Sequence, residues 1–137
     1  MPLSQPFGAY GYTDFQTKIQ GIDLEFETSA AVTAKRVVAL GTTGKVALAE
    51  TDSTASLGIG IALHAAASGD LVKVRVFGAV DDVPTTGALS ASGIIKRSVT
   101  TTGSIAVTAS PAAGEALGFA IADSASNVTD VFVCKSL

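Results

Sequence analysis

Cysteine and histidine are almost missing from this sequence, and each absence removes a class of chemistry. The single thiol, Cys134, leaves no internal disulfide framework and no cysteine-based zinc cluster. The single imidazole, His64, leaves no multi-histidine metal site. Charged residues make up only 15% of the chain, and nine Lys+Arg against twelve Asp+Glu give a net charge of −3, so the basic footprint of a nucleic-acid binder is missing. No apolar run approaches the roughly 18 residues of a membrane span. No basic segment precedes an apolar core in the manner of a signal peptide. Neither nucleic acid nor a membrane is expected as a partner, and no cofactor is expected.

What is present is apolar. Hydrophobic residues are 47% of the 137, too many for an intrinsically disordered chain. One domain is the default at this length, and a domain near that size buries roughly 68–70% of its unfolded surface. The aromatics are unevenly placed: Phe7, Tyr10, Tyr12, Phe15 and Phe26 lie in the first 26 residues, and only Phe77, Phe119 and Phe132 follow. Residues 1–27 carry Asp14, Asp23, Glu25 and Glu27 against Lys18, which accounts for the whole net charge of −3. The chain therefore divides into an arm, 1–27, and a body, 28–137.

Pro2, Pro6, Gly8 and Gly11 argue against regular structure at the start of the arm, while Phe15 to Phe26 alternates as a short strand would. Fully extended, the arm reaches on the order of 90 Å. Its aromatics bury roughly 750–1,250 Å² if covered, against about 800 Å² per partner in a standard interface. Two uses remain open: closure over the body's own core, or attachment to a partner. For the second, Phe7, Tyr10, Tyr12 and Phe15, with Ile19 beside them, are the candidate anchors.

The body reads as strands. Leu71-Val72-Lys73-Val74-Arg75-Val76 alternates strictly, which predicts a half-buried antiparallel strand with the valines inward and Lys73 and Arg75 outward. Similar runs occur at 35–40, 45–49, 94–99, 104–108 and 128–134. Breaks at Gly41-Thr42-Thr43-Gly44, Ser68-Gly69-Asp70, Thr85-Thr86-Gly87 and Thr101-Thr102-Gly103 suit hairpin turns. Two alanine-rich stretches, 59–67 and 111–126, have helical propensity, and Ser110-Pro111 resembles a helix start. Glycines interrupt both, so at most one short helix is expected. An internal echo at a spacing of 60 matches Leu57-Gly58-Ile59-Gly60-Ile61-Ala62 to Leu117-Gly118-Phe119-Ala120-Ile121-Ala122. Two similar hairpin units, or mere convergence of alanine-rich strands, account for it.

No catalytic constellation emerges. His64 has no Ser or Asp partner at a motif spacing and reads as structural. Cys134 ends an apolar run as a small hydrophobe. Asp81-Asp82 lacks the spacing of an EF-hand and reads as a solvated turn before Pro84. The pairs Lys35-Arg36 and Lys96-Arg97 read as solvated strand edges. Neither a dinucleotide fingerprint nor a phosphate loop is complete, since Gly44-Lys45 is followed by Val46. A catalytic site is not expected.

The pattern resembles the small capsid decoration, or cement, proteins of tailed bacteriophages, including the lambda-like head decoration proteins. The likeness lies in Val32-Thr33-Ala34-Lys35-Arg36-Val37-Val38-Ala39-Leu40-Gly41 and the Gly44-Lys45-Val46 turn. It continues through Leu57–Ala62, Ala67-Ser68-Gly69-Asp70, Val72–Val76 and Pro111-Ala112-Ala113-Gly114-Glu115-Ala116-Leu117-Gly118. It spans about residues 30–137. The resemblance implies an all-β fold, a compact small sandwich or barrel of β-tulip type, carrying an extended N-terminal arm. It also implies a homotrimer on the outer capsid surface of the virion, bound to the major capsid protein. Lambda-like members use an N-terminal segment that orders on capsid binding, a role open to residues 1–27. Two alternatives stand beside it: a β-structured carbohydrate- or surface-binding virion module, and a small β-barrel enzyme.

Overall fold

Short apolar runs broken by turn residues fold here into strands whose partners are mostly near neighbours in the chain. The computed structural model describes residues 21–51, 57–98 and 100–135. Its strands are β1 (Ile22–Glu27), β2 (Val37–Leu40), β3 (Val46–Leu48), β4 (Gly58–Ala62), β5 (Leu71–Pro84), β6 (Ile94–Arg97), β7 (Ile105–Val107), β8 (Gly118–Ala120) and β9 (Val128–Cys134). All belong to one antiparallel sheet in the order β3-β2-β4-β5-β9-β8-β6-β7, with β1 added along β5, and the sheet curls into a half-barrel. The expected hairpin turns are in place. Between β2 and β3 the Gly41 N–H meets the Lys45 carbonyl at 2.8 Å, and Gly44 takes a φ of +79° that side chains disfavour.

The expected strand at 71–76 is the first part of the fourteen-residue β5. Val72 and Val74 are fully buried and Lys73 is exposed. Val76 is only half-buried, and Arg75 lies partly covered because it pairs with Asp23 of β1. No helix occurs among the described residues. The two alanine-rich stretches instead contribute β4 and β8, for a reason that propensity does not register. A Cβ on Gly60 would sit 2.3 Å from the Arg75 carbonyl oxygen, and one on Gly118 only 1.9 Å from that of Phe132. These glycines let neighbouring backbones close in, which ties each stretch into the sheet. Pro111–Glu115 makes a turn, with the Glu115 N–H on the Ala112 carbonyl.

The strand order reads as two equivalent halves. Each contains a hairpin (β2–β3, β6–β7), a third strand beside it (β4, β8), and a fourth beside that (β5, β9). The ladders correspond residue by residue: Val37 faces Ile61 as Ile94 faces Phe119, Val38 faces Gly60 as Ile95 faces Gly118, and Leu40 faces Val46 as Arg97 faces Ile105. Isolated hydrogen bonds correspond too. Thr28 N–H bonds Asp70 carbonyl and Thr85 N–H bonds Asn127 carbonyl, while Lys35 N–H bonds Ala62 carbonyl and Ser92 N–H bonds Ala120 carbonyl. Lys35 and Ser92 even share left-handed φ values, 62° and 69°. The echo in the sequence is therefore structural, but its register changes. The ladders match Gly60-Ile61-Ala62 to Gly118-Phe119-Ala120, a spacing of 58 where the sequence alone suggests 60. A slip of two residues leaves every side chain on the same face, so alternation alone does not expose it.

Two cores result. One gathers Val32, Val38, Val46, Ala62, Val72 and Val74 of the first half. The larger one joins second-half residues such as Val80, Ile95, Ile105, Leu117, Val131 and Val133 to Val37, Ala39 and Ile61 of the first. Strands β2 and β4 thus lie between the two cores. Gly60→Ala and Gly118→Ala should each destabilise the fold by about 1–3 kcal/mol, because the added methyl meets backbone rather than a movable side chain. Gly41→Ala, whose nearest atom is 3.4 Å away, should stay within about 0.5 kcal/mol. Denaturant unfolding of the three variants measures the contrast.

Candidate contact surface

The candidate anchors Phe7, Tyr10, Tyr12, Phe15 and Ile19 lie outside the described residues. The described end of the arm is β1, and it is built into the body. Asp23 and Leu24 pair with Arg75 and Val74 on one side of β5, while Ile61 and Ala62 of β4 pair with the same two residues on the other. Phe77 is the register partner of both Ile22 and Cys134, so β1 begins where β9 ends.

Ion pairs reinforce this attachment. The Asp23 carboxylate accepts from Arg75 Nε at 2.7 Å and from Nη2 at 3.0 Å, and Nη1 donates to the Ala79 carbonyl at 2.8 Å. The guanidinium hydrogen bonds hold the Asp23 carboxyl below its usual range, despite some desolvation, and raise the Arg75 value. Glu27, at the other end of β1, pairs with Lys45. Flexible acids on an exposed strand thus become fixed partners of the sheet.

Beside this junction runs an apolar strip. The rings of Phe77 and Phe132 meet edge to face with centroids 5.2 Å apart, and those of Phe132 and Phe119 stack at 5.4 Å. Ile22 lies opposite Phe77 and Ile94 opposite Phe119, so the strip crosses β1, β5, β9, β8 and β6. Ile22, Phe77, Phe119 and Ile94 are all exposed. The composition gives no hint of this grouping, since the body's phenylalanines are scattered in sequence. Strand parity does: Phe77 continues the outward set of Lys73 and Arg75, and Phe132 stands between the buried Val131 and Val133.

The remaining polar residues serve the fold. His64 accepts the Lys73 N–H at Nε2, which leaves Nδ1 to donate to the Ala65 carbonyl. Cys134 is half-buried at the end of β9. Asp81-Asp82 forms a bulge within β5, where a turn is expected from sequence. Asp82 has a left-handed φ of 53°, and Asp81 pairs with Lys35, whose hydrogen bond lowers the Asp81 pKa. The basic pairs are not solvated edges either. Arg36 bonds Ser104, Lys96 pairs with Glu115, and the buried Arg97 donates to the Thr51 carbonyl at 2.8 Å. All four residues fasten separate strands and loops together, Lys35 through its pair with Asp81. Among the described residues, no group of three His, Cys, Asp or Glu is placed to hold a metal.

Residues 15–135 match the family model of the phage cement proteins, and the chain belongs to that family. It is similar to the N base of head fiber gp8.5 of bacteriophage phi29, with a TM-score of 0.57 and 15% identity over 85% of this chain and 98% of that one. At that identity the likeness concerns the fold. No curated protein matches the chain. Family membership makes this a structural, non-enzymatic component located on the outer surface of the virion capsid.

Removing the carboxylate partner of Arg75 tests how firmly β1 is held. Asp23→Asn should cost about 0.5–1 kcal/mol, the range of a partly exposed pair. A depressed folded pKa means that the pair's contribution is present above the unfolded carboxyl pKa, near pH 4, and is lost as pH falls through the lower folded value. Unfolding of wild type and Asp23→Asn should therefore differ at pH 7 and converge towards pH 2.

Proposed function

We propose that this cement protein acts as a homotrimer that bridges neighbouring major capsid protein subunits, with residues 1–27 as its anchor. The arm's root in the sheet is the observation that carries the reading. A pull on the residues preceding Ile22 passes through the β1–β5 ladder and the Asp23–Arg75 pair into the longest strand of the body. The ladder spreads that pull over several residues of β5 rather than leaving it on the backbone of one connection.

The mechanism is mechanical. A protein that binds the assembled shell but not its separated subunits stabilises the shell by mass action, by about 2.7 kcal/mol per site when its free concentration is 100 times Kd. Phe7, Tyr10, Tyr12, Phe15 and Ile19 supply the apolar contacts, in keeping with the dominance of aromatic anchors in interfaces. Ordering the segment costs about 1–2 kcal/mol per residue in backbone entropy, which aromatic burial offsets.

Deleting residues 1–20 should leave β1 and the body folded and lower affinity for purified undecorated shells by at least about tenfold, equivalent to 1.4 kcal/mol. Lys73→Ala, an exposed charge on β5, should change it much less. Co-sedimentation with shells measures both. Equal decoration by the truncated protein would place the anchor elsewhere and assign the arm's aromatics to the body's own fold.

A further inference from the structure

We infer that the outer face of the second half, formed by Ile94, Phe119 and Phe132, receives the β2–β3 turn of a second copy of this chain, head to tail. The inference deepens the trimeric reading above and rests on it, by naming the two surfaces that meet. It starts from a difference between positions that the ladders make equivalent. Val37 and Ile61 are 0% exposed, whereas their counterparts Ile94 and Phe119 are 37% and 41% exposed. Arg75, counterpart of Phe132, is covered by its pairing with Asp23.

The first-half face is buried because the second half sits against it. The Gly103 carbonyl, in the β6–β7 turn, accepts the Val37 N–H at 2.8 Å, and its N–H donates to the Ala49 carbonyl at 3.1 Å. Arg97 reaches Thr51, and Ser104 receives Arg36. Within one chain, then, the hairpin turn of one half seats on the outer face of the other. Among the described residues, nothing covers the second-half face in this way, and Ile94, Phe119 and Phe132 remain at least partly in contact with solvent.

The matching surface is also present and also open. Gly44 is the counterpart of Gly103, with φ of 79° against 76°, and it precedes Val46 as Gly103 precedes Ile105. Leu40 is the counterpart of Arg97, yet Leu40 is 44% exposed where Arg97 is 4% exposed. An apolar side chain thus stands in the open at the position that its equivalent buries at the seam. Repeating the internal seam between copies places Gly44 of one chain at Ile94 of the next, as Gly103 stands at Val37. It brings Leu40 to the same seam beside Ser110, the counterpart of the Thr51 that Arg97 reaches. Two different patches meet, so the contact is heterologous, and it closes into a ring when the rotation per copy permits.

The free full-length protein tests this by sedimentation velocity. Wild type should sediment as a trimer. Leu40→Asp and the double variant Phe119→Ser/Phe132→Ser should each sediment as monomers with an unchanged far-UV spectrum. Mixing the two variants should restore a one-to-one dimer and nothing larger, because each retains the patch that the other lacks. A trimer that survives all these substitutions would overturn the inference while leaving the trimeric reading intact, as would a mixture that stays monomeric. A wild type that is monomeric at every concentration would remove both. Should the phenylalanine variant fail to fold, Ile94→Asp takes its place in the same mixing experiment.

Discussion

One strand holds the molecule together. β5 is fourteen residues long, close to three times the usual five or so, and both halves are built on it. Its first part is the fourth strand of the first half, flanked by β4 and β1. Its second part pairs with β9 and so opens the second half. A continuous strand cannot pivot as a linker does, so the relation between the halves is fixed by backbone hydrogen bonds. The Asp81-Asp82 bulge, the one break in its register with β9, lies within the β9-paired part, between Val80 and Val83, and is braced by Lys35. Everything else follows from this arrangement, including the burial of β2 and β4 on both faces.

Much of the fold was legible in the sequence because β-structure announces itself by alternation. The runs at 71–76, 94–99, 104–108 and 128–134 all became strands, separated by the glycine-bearing turns that punctuate them. What escaped was long-range. Gly60 and Gly118 lower strand propensity locally and interrupt a helix equally well. Only the approach of the Arg75 and Phe132 carbonyls explains them, and that approach is set by residues 14 or 15 positions away. The echo between halves was visible, but its register was not, since alternating sequences look alike after any even shift. Lys96-Arg97 misled for a related reason. A basic pair on a short strand looks like a solvated edge until the partners Glu115 and the Thr51 carbonyl are known.

The contact surfaces show the same limit. Concentrated aromatics in residues 1–27 draw attention to the arm, and the family confirms a place on the capsid without identifying the anchor. The three phenylalanines of the body, separated by 42 and 13 residues in sequence, form one strip through pairing of β5, β9 and β8. Composition treats them as a sparse set; topology makes them a patch. Exposed apolar patches on a soluble protein mark places where another surface belongs. Here the internal repeat adds what exposure alone lacks, because the equivalent face in the first half already shows its cover.

Repetition within a chain and repetition between chains obey the same geometry. If one half presents a face that the other half covers, the second half presents that face again, and no described residue of the same chain covers it. Among the described residues one face and one turn then stay open, and on the proposed reading a second copy covers each. Such a protein costs little to hold together on a shell, since each copy contributes the contact that its neighbour lacks. Decoration of a closed shell adds a second layer of the same logic. On the proposed function, each attached copy would shift the equilibrium towards the assembled state by its own binding free energy, so many modest attachments would suffice and no chemistry would be needed at any of them. A low charge density and a rigid, half-closed sheet suit that task. The surface has only to be the right shape in the right place, and with residues 1–27 as the proposed anchor the β1–β5 ladder is what would carry load from the arm into the body.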